Sequence, residues 1–205
     1  MGGLCVAGIG TEVGKTVVSA VLCEALRADY WKPVGSGLED GPGDSEVLSS
    51  LIENAGDRVH PSRYLFAKSL SPHIAAALEG VTISLSELQA PQTERPLIVE
   101  LAGGVYVPLN DEHTNLDLIT SLGFPVVVVS RHYLGSINHT LLTVEALRSR
   151  GVTLQGVIFN GQELPDTERI ICQHGRVDVL GRIPHMQEVS PEGVRAVAQS
   201  LVVRL

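Results

Sequence analysis

Gly8-Ile9-Gly10-Thr11-Glu12-Val13-Gly14-Lys15-Thr16 is the stretch on which the fold of this chain turns. An apolar run, Leu4–Ile9, leads into it. A segment with helical spacing, Lys15–Ala28, leads out of it, with Val17, Val18, Val21, Leu22 and Leu26 as the apolar positions. A glycine-rich turn from a buried strand into a helix, closing on Gly-Lys-Thr, is the pattern of a phosphate-binding loop. Gly14 lets the backbone approach phosphates, and the N–H groups of the loop and the helix N-terminus donate to them. Lys15 adds a full charge on the outer phosphates, and the Thr16 hydroxyl is placed to ligate Mg2+. The strict pattern has glycine five residues before Gly14, where this chain has Ile9; its glycines stand at positions 8 and 10. The loop is therefore a variant. It predicts a nucleoside triphosphate as ligand and leaves the reaction open.

Outward from the loop, short apolar runs alternate with helical patterns. The expected strands are Leu4–Ile9, Tyr30–Val34, Leu97–Leu101, Pro125–Ser130, Leu154–Asn160 and Asp178–Ile183. The expected helices are Lys15–Ala28, Ser45–Asn54, Pro72–Leu78, Asn115–Leu122, Ile137–Arg150, Asp166–His174 and Pro191–Val203. Gly35–Gly43, with four glycines and a proline, reads as a loop. Strands apolar throughout and separated by helices mean an α/β fold with a mainly parallel sheet, helices on both faces and right-handed crossovers. Such sheets bind ligands at the C-terminal ends of their strands.

The chain has 205 residues, 44% apolar and 19% charged, and is expected to form a single domain over 1–205. A net charge of −8 argues against nucleic acid and membrane surfaces as partners, which need basic patches. It permits a local phosphate site. Cys5, Cys23 and Cys172 are odd in number and lack metal-ligand spacing, so they read as thiols of a reducing cytoplasm. No signal-peptide pattern opens the chain, and no apolar run approaches the ~20 residues a membrane span needs. A cytoplasmic protein is expected.

Further chemistry stands after the other apolar runs. Lys32, before Pro33 and a glycine-rich loop, offers a second cation for a transferred phosphoryl group, or is a solvated edge lysine. Glu100 ends a strand, where an acid is costly unless paired, solvated or metal-bound. Asp44 opens a helix as an N-cap or approaches the metal. Asn160 follows a strand, where an amide reads a purine edge or caps a turn.

Taken in order, GIGTEVGKT (8–16), KPVGSG (32–37), SPHIAAALEG (71–80), VELAGGVYVPL (99–109), LGSINHTLLT (134–143), GVIFNG (156–161) and GRIP (181–184) resemble ATP-dependent dethiobiotin synthetase over nearly the whole chain. The resemblance implies a homodimeric ATP- and Mg2+-dependent cyclo-ligase of biotin biosynthesis. Its substrates would be 7,8-diaminopelargonate, CO2 and ATP. A carbamate and a carbamic-phosphoric anhydride would lead to dethiobiotin, ADP and phosphate. By matched position Lys32 is the catalytic lysine, with Lys15 beside it. Glu12, Val13, Gly14, Lys15, Thr16 and Val17 wrap the phosphates. Thr16, Asp44 and Glu100 form the Mg2+ set, with Glu46 as the alternative to Asp44. Asn160, Gly161, Pro184, His185 and Met186, with Glu192, resemble the adenine site. Thr11 and Ser36 fall on substrate contacts, and Gly135, Ser136, Ile137 and Asn138 on a loop that reaches substrate across a dimer interface.

Two departures stand out. The family usually has Thr and Asp where this chain has Ile9 and Gly10, and a glycine where it has Leu101. Losing an acid beside the phosphates removes repulsion, so nucleotide affinity or choice is expected to differ from the usual member. Binding of ATP, GTP and CTP checks this, and ordinary ATP-selective affinity contradicts it. Leu101 is expected to shift the Glu100 backbone. Three other readings compete with this one. Corrin-ring amidation synthetases carry a glutaminase domain for which 205 residues are expected to leave no room. Partition and septum-positioning ATPases have an extra lysine early in the loop and often a membrane or DNA tail; no lysine precedes Lys15 here. An inactive paralogue is disfavoured by Lys15, Thr16, Lys32 and Glu100, all in place. Trp31 is expected to be core packing beneath the lysine loop.

Overall fold

The computed structural model describes residues 2–201. Its elements run, in chain order, β1 (Gly3–Gly8), α1 (Lys15–Leu26), β2 (Asp29–Trp31), β3 (Val34–Ser36), α2 (Asp44–Leu51), β4 (Val59–His60), β5 (Tyr64–Phe66) and α3 (Pro72–Leu78). They continue with β6 (Leu97–Gly104), α4 (Asn115–Leu122), β7 (Val126–Arg131), α5 (Ser136–Ser149), β8 (Leu154–Asn160), α6 (Pro165–Gly175), β9 (Val179–Ile183) and α7 (Pro191–Ala198). Seven strands form one sheet in the order β4-β2-β6-β1-β7-β8-β9, every pairing parallel. Leu4, Cys5, Val6 and Ala7 of β1 are all fully buried, so both faces of the central strand are covered. The expected doubly covered parallel sheet is what forms. Among the described residues no helix is long and apolar enough to cross a membrane.

The differences from expectation are local. The strand expected over Tyr30–Val34 is two strands. β2 belongs to the main sheet, and Pro33, which has no N–H, ends its ladder. β3 then pairs in parallel with β5 in a separate two-stranded sheet, so Gly35 and Ser36 are strand rather than loop. α1 stops at Leu26, two residues early, because Arg27 takes a left-handed φ of 50°. Asp44 is not an N-cap. Gly43 occupies that position and Asp44 is the first helical residue of α2, which ends at Leu51 rather than Asn54. α7 ends at Ala198, and Val203, its expected end, lies outside the described residues.

β1 sits between β6 and β7, so the chain leaves β1 and returns to both of its sides later. The crevice at the C-terminal ends of these strands is where a ligand belongs in such a sheet. Asn115, buried in the first turn of α4, donates from Nδ2 to Ala102 O at 2.6 Å and Gly104 O at 2.9 Å. That fixes the end of β6, just past Glu100.

Candidate active site

Strand register places the charged groups. Tyr30 pairs with Ile98 and Val6 with Glu100, and alternate residues share a face. Tyr30, Lys32, Ile98 and Glu100 therefore project to one face, where Thr16 opens α1. Trp31, on the opposite face, is buried in the core as expected. Glu100 keeps its register with Val6 despite Leu101, and the ladder becomes irregular only between Val6 and Gly8. The irregular stretch thus starts directly after Glu100, at Leu101, which is itself buried on the far face.

A compact polar cluster results. Lys32 Nζ lies 2.6 Å from Asp44 Oδ2 and 2.9 Å from Glu100 Oε1. Thr16 Oγ1 lies 2.7 Å from Asp44 Oδ1 and 3.1 Å from Glu100 Oε1, and its single proton serves one of them at a time. Lys32 is 5% exposed and β2 is an interior strand, so it is no solvated edge lysine. Burial alone would lower its pKa, but the charges of Glu100 and Asp44 outweigh this and raise it. Burial would raise Asp44, and Lys32 and Thr16 bring it below the usual carboxylate range instead. Lys15 is pushed down to about 8, chiefly by burial, with Lys32 adding to the fall and Glu100 opposing it. Of Asp44 and Glu46, Asp44 is the one at Thr16; Glu46 is exposed on α2.

The phosphate loop is held from three sides. Lys15 Nζ donates to Gly10 O at 2.9 Å. Asn160 Nδ2, at the end of β8, donates to Val13 O at 2.8 Å. Arg131 Nη1, its register partner on β7, donates to Glu12 O at 3.1 Å. Glu12 has φ 57°, a left-handed conformation a non-glycine residue holds only under such restraint. Gly14 has φ 88°, and a Cβ there would sit 2.0 Å from Asn160 Nδ2, so only glycine fits between loop and strand end. Sequence reasoning missed Arg131 because nothing in its neighbourhood marks a residue that bonds a loop so far away in the chain.

A cleft of about 760 Å³ is lined by Thr11, Glu12, Gly14, Lys15, Thr16, Val17, Lys32, Ser36, Asp44 and Glu100, all singled out from the sequence. Ser69 and Leu70 also line it and carry no signal of their own in the sequence. Ser36 Oγ donates to Leu70 O at 3.0 Å. Val13 is buried beneath the loop. The residues matched to the adenine site lie together beyond β8 and β9: Gly161 N donates to Ile183 O at 2.8 Å, and Pro184, His185 and Met186 follow directly. Glu192, in the first turn of α7, is exposed and pairs with Arg195 at 3.0 Å. Gly135, Ser136, Ile137 and Asn138 are not brought to this cleft by their own chain; they line another of about 750 Å³, beside the fully exposed Leu134. Ile9 and Gly10 face a third, largely apolar cleft of about 610 Å³ with Tyr106 and Leu142, not the Asn160 end of the loop.

Thr16, Asp44 and Glu100 bring one hydroxyl and two carboxylates together, a hard oxygen set that suits Mg2+. With so few protein oxygens the ion would take the rest from water and phosphates, as Mg2+ commonly does.

The parallel sheet with a phosphate loop at its central strand defines a P-loop nucleotide-binding protein. Solved structures share the fold: a ParA family ATPase from Chlorobium tepidum (TM-score 0.58, 14% identity, 96% of this chain and 90% of that one) and the cell division ATPase MinD of Pyrococcus furiosus (TM-score 0.57, 15% identity, 97% and 98%). A family model described as an AAA domain matches residues 2–193. Curated relatives named ATP-dependent dethiobiotin synthetase BioD are far more similar. That of Christiangramia forsetii is 47% identical over 90% of this chain and 89% of its own, and that of Cytophaga hutchinsonii 45% identical over 96% and 95%. The Brucella ovis protein is 46% identical over 92% and 89%. The chain belongs to the ATP-dependent dethiobiotin synthetase family.

Proposed function

We propose that this protein is an ATP-dependent cyclo-ligase that makes dethiobiotin from 7,8-diaminopelargonate and CO2. The observation that carries the mechanism is Lys32, buried between Asp44 and Glu100 at the mouth of the phosphate loop. One substrate amine adds to CO2, loses a proton and becomes a carbamate. A carbamate oxygen then attacks the γ-phosphorus, and the bond to the ADP oxygen breaks. The second amine attacks the carbonyl carbon of the resulting anhydride, phosphate leaves with the bridging oxygen, and the ring closes with loss of a proton.

The residues fit these demands. Two anions, carbamate and γ-phosphate, must approach each other, and cations fixed beforehand lower that cost. Lys15 and the loop N–H groups hold the phosphates, and Lys32 faces the same cleft from β2. Thr16, Asp44 and Glu100 are the residues that would hold Mg2+, which when bound neutralises phosphate charge. Thr11 and Ser36 line the cleft beside Lys32, where they can orient the diamine. Asn160 keeps its Oδ1 for an exocyclic amine of the base, with Gly161 and Pro184–Met186 alongside. Glu192 pairs with Arg195 through Oε1 alone, which leaves Oε2 free of that pair to accept from the nucleotide.

A homodimer completes the reading. Tyr133, Leu134 and Leu164 are exposed apolar side chains, and they line one cleft with Gly135–Asn138, which form the cap and first turn of α5 rather than the expected loop. A second copy covering this surface would bring that helix start to its partner's cleft. Leu134→Glu is expected to give a monomer by sedimentation, with a raised KM for the diamine. A variant that stays dimeric with unchanged KM would remove that helix start from the site. The function itself is tested by phosphate release from MgATP with and without the diamine and bicarbonate. Diamine-dependent release with a ring-closed product by mass spectrometry is expected. ATP binding without such stimulation would contradict the substrate.

A further inference from the structure

Glu100 has two carboxylate oxygens with different neighbours. Oε1 faces Lys32 at 2.9 Å and Thr16 at 3.1 Å. Oε2 accepts from the hydroxyl of Tyr30 at 3.1 Å. Tyr30 is fully buried on β2, and Glu100 is 1% exposed. Tyr30 pairs with Ile98, so its ring runs along β6 over the two residues to Glu100 on the same face. Tyr30 takes no part in the loop, the cleft or the metal set, and the mechanism above leaves it unused.

A buried carboxylate oxygen without a donor is costly, and a carboxylate with no fixed oxygen can turn about its last bond. The phenol removes both freedoms. It satisfies Oε2 and holds the carboxylate plane so that Oε1 alone is turned toward Thr16 and Lys32. A phenol keeps its proton well above neutral pH, so Tyr30 is a donor to Oε2. Hydrogen-bond partners of metal-binding groups act in this way, and losing one commonly costs about 10–100-fold in metal affinity.

We propose that Tyr30 is a positioning residue: its hydroxyl fixes Glu100 Oε2 so that Oε1 is presented to the Mg2+ of the bound nucleotide. The proposal rests on the assignment of Thr16, Asp44 and Glu100 to Mg2+. Its substitution is Tyr30→Phe, which keeps the ring and removes the hydroxyl.

The test is a titration of a non-hydrolysable ATP analogue with and without Mg2+, on the wild type, Y30F, E100Q and Y30F/E100Q. Wild type should bind the analogue more tightly with Mg2+. Y30F should need roughly 10-fold more Mg2+ for the same gain, with metal-free binding unchanged. In the E100Q background the extra effect of Y30F should vanish, because Tyr30 acts through Glu100. A wild type with no Mg2+-dependent gain overturns the metal assignment itself. A wild-type gain that Y30F retains at the same Mg2+ concentration, or a Y30F effect that persists undiminished beside E100Q, overturns the role of Tyr30. If Y30F fails to fold, Y30F/E100Q decides. A folded double variant shows that the loss acts through the unpaired carboxylate, and an unfolded one reduces Tyr30 to a core side chain.

Discussion

Lys32→Ala is expected to lower kcat by roughly 10²–10³-fold, the range for removing one fixed group that meets charge developing in a transition state. ATP binding should survive, because the groups proposed to hold the phosphates, Lys15 and the loop amides, are tethered within the loop and not through Lys32. A second consequence follows from the ion pairs. Without Lys32, Glu100 is left nearly fully buried with Tyr30 and Thr16 as its remaining donors, and Asp44 faces it across Thr16. Breaking a buried pair by removing one partner costs about 3–5 kcal/mol. Asp44 is 41% exposed, so water screens its share and the lower part of that range applies. Thermal unfolding should show this loss, and Mg2+ should recover part of it by supplying the missing positive charge. Unchanged turnover would take Lys32 out of the mechanism. A stability loss indifferent to Mg2+ would count against Asp44 and Glu100 as its ligands.

Lys15→Ala is expected to fail at an earlier step. A hydrogen bond from a charged donor is worth about 1.5–3 kcal/mol, or roughly 10–100-fold in ATP affinity. The same substitution frees Gly10 O, so the loop loses one of its three tethers and the approach to the phosphates loosens. Isothermal titration with MgATP separates the two lysines. K15A should bind weakly and K32A nearly as wild type, while both turn over poorly. Equal binding by K15A would mean that the loop amides alone carry the nucleotide.

The sheet and the phosphate loop were legible because they depend on local chemistry. A continuous run such as Pro125–Ser130 reads as a buried strand, and glycine, lysine and threonine at the strand-to-helix turn have few other uses. The bounds expected for Pro72–Leu78, Asn115–Leu122 and Leu154–Asn160 are those observed. From the sequence, Asp44 stands open between a cap and a metal ligand, and Lys32 between a solvated edge lysine and a second cation at the phosphates. Only pairing in space separates these: Gly43 takes the cap, and β4 covers the edge of β2. β4 and β5 have two and three residues, too short for any period to mark them. Arg131 and Tyr30 act on groups far off in the chain, which no spacing rule reaches.

In the proposed reaction a carbamate oxygen takes the γ-phosphoryl group before the ring closes. This transfer is tested most directly by running the reaction on freshly added CO2 labelled with 18O, quenching before exchange with water, and weighing both products. One 18O is expected in the released phosphate and one in the ring carbonyl of dethiobiotin. Dethiobiotin formed with unlabelled phosphate would contradict it, because phosphate would then have left without the carbamate oxygen.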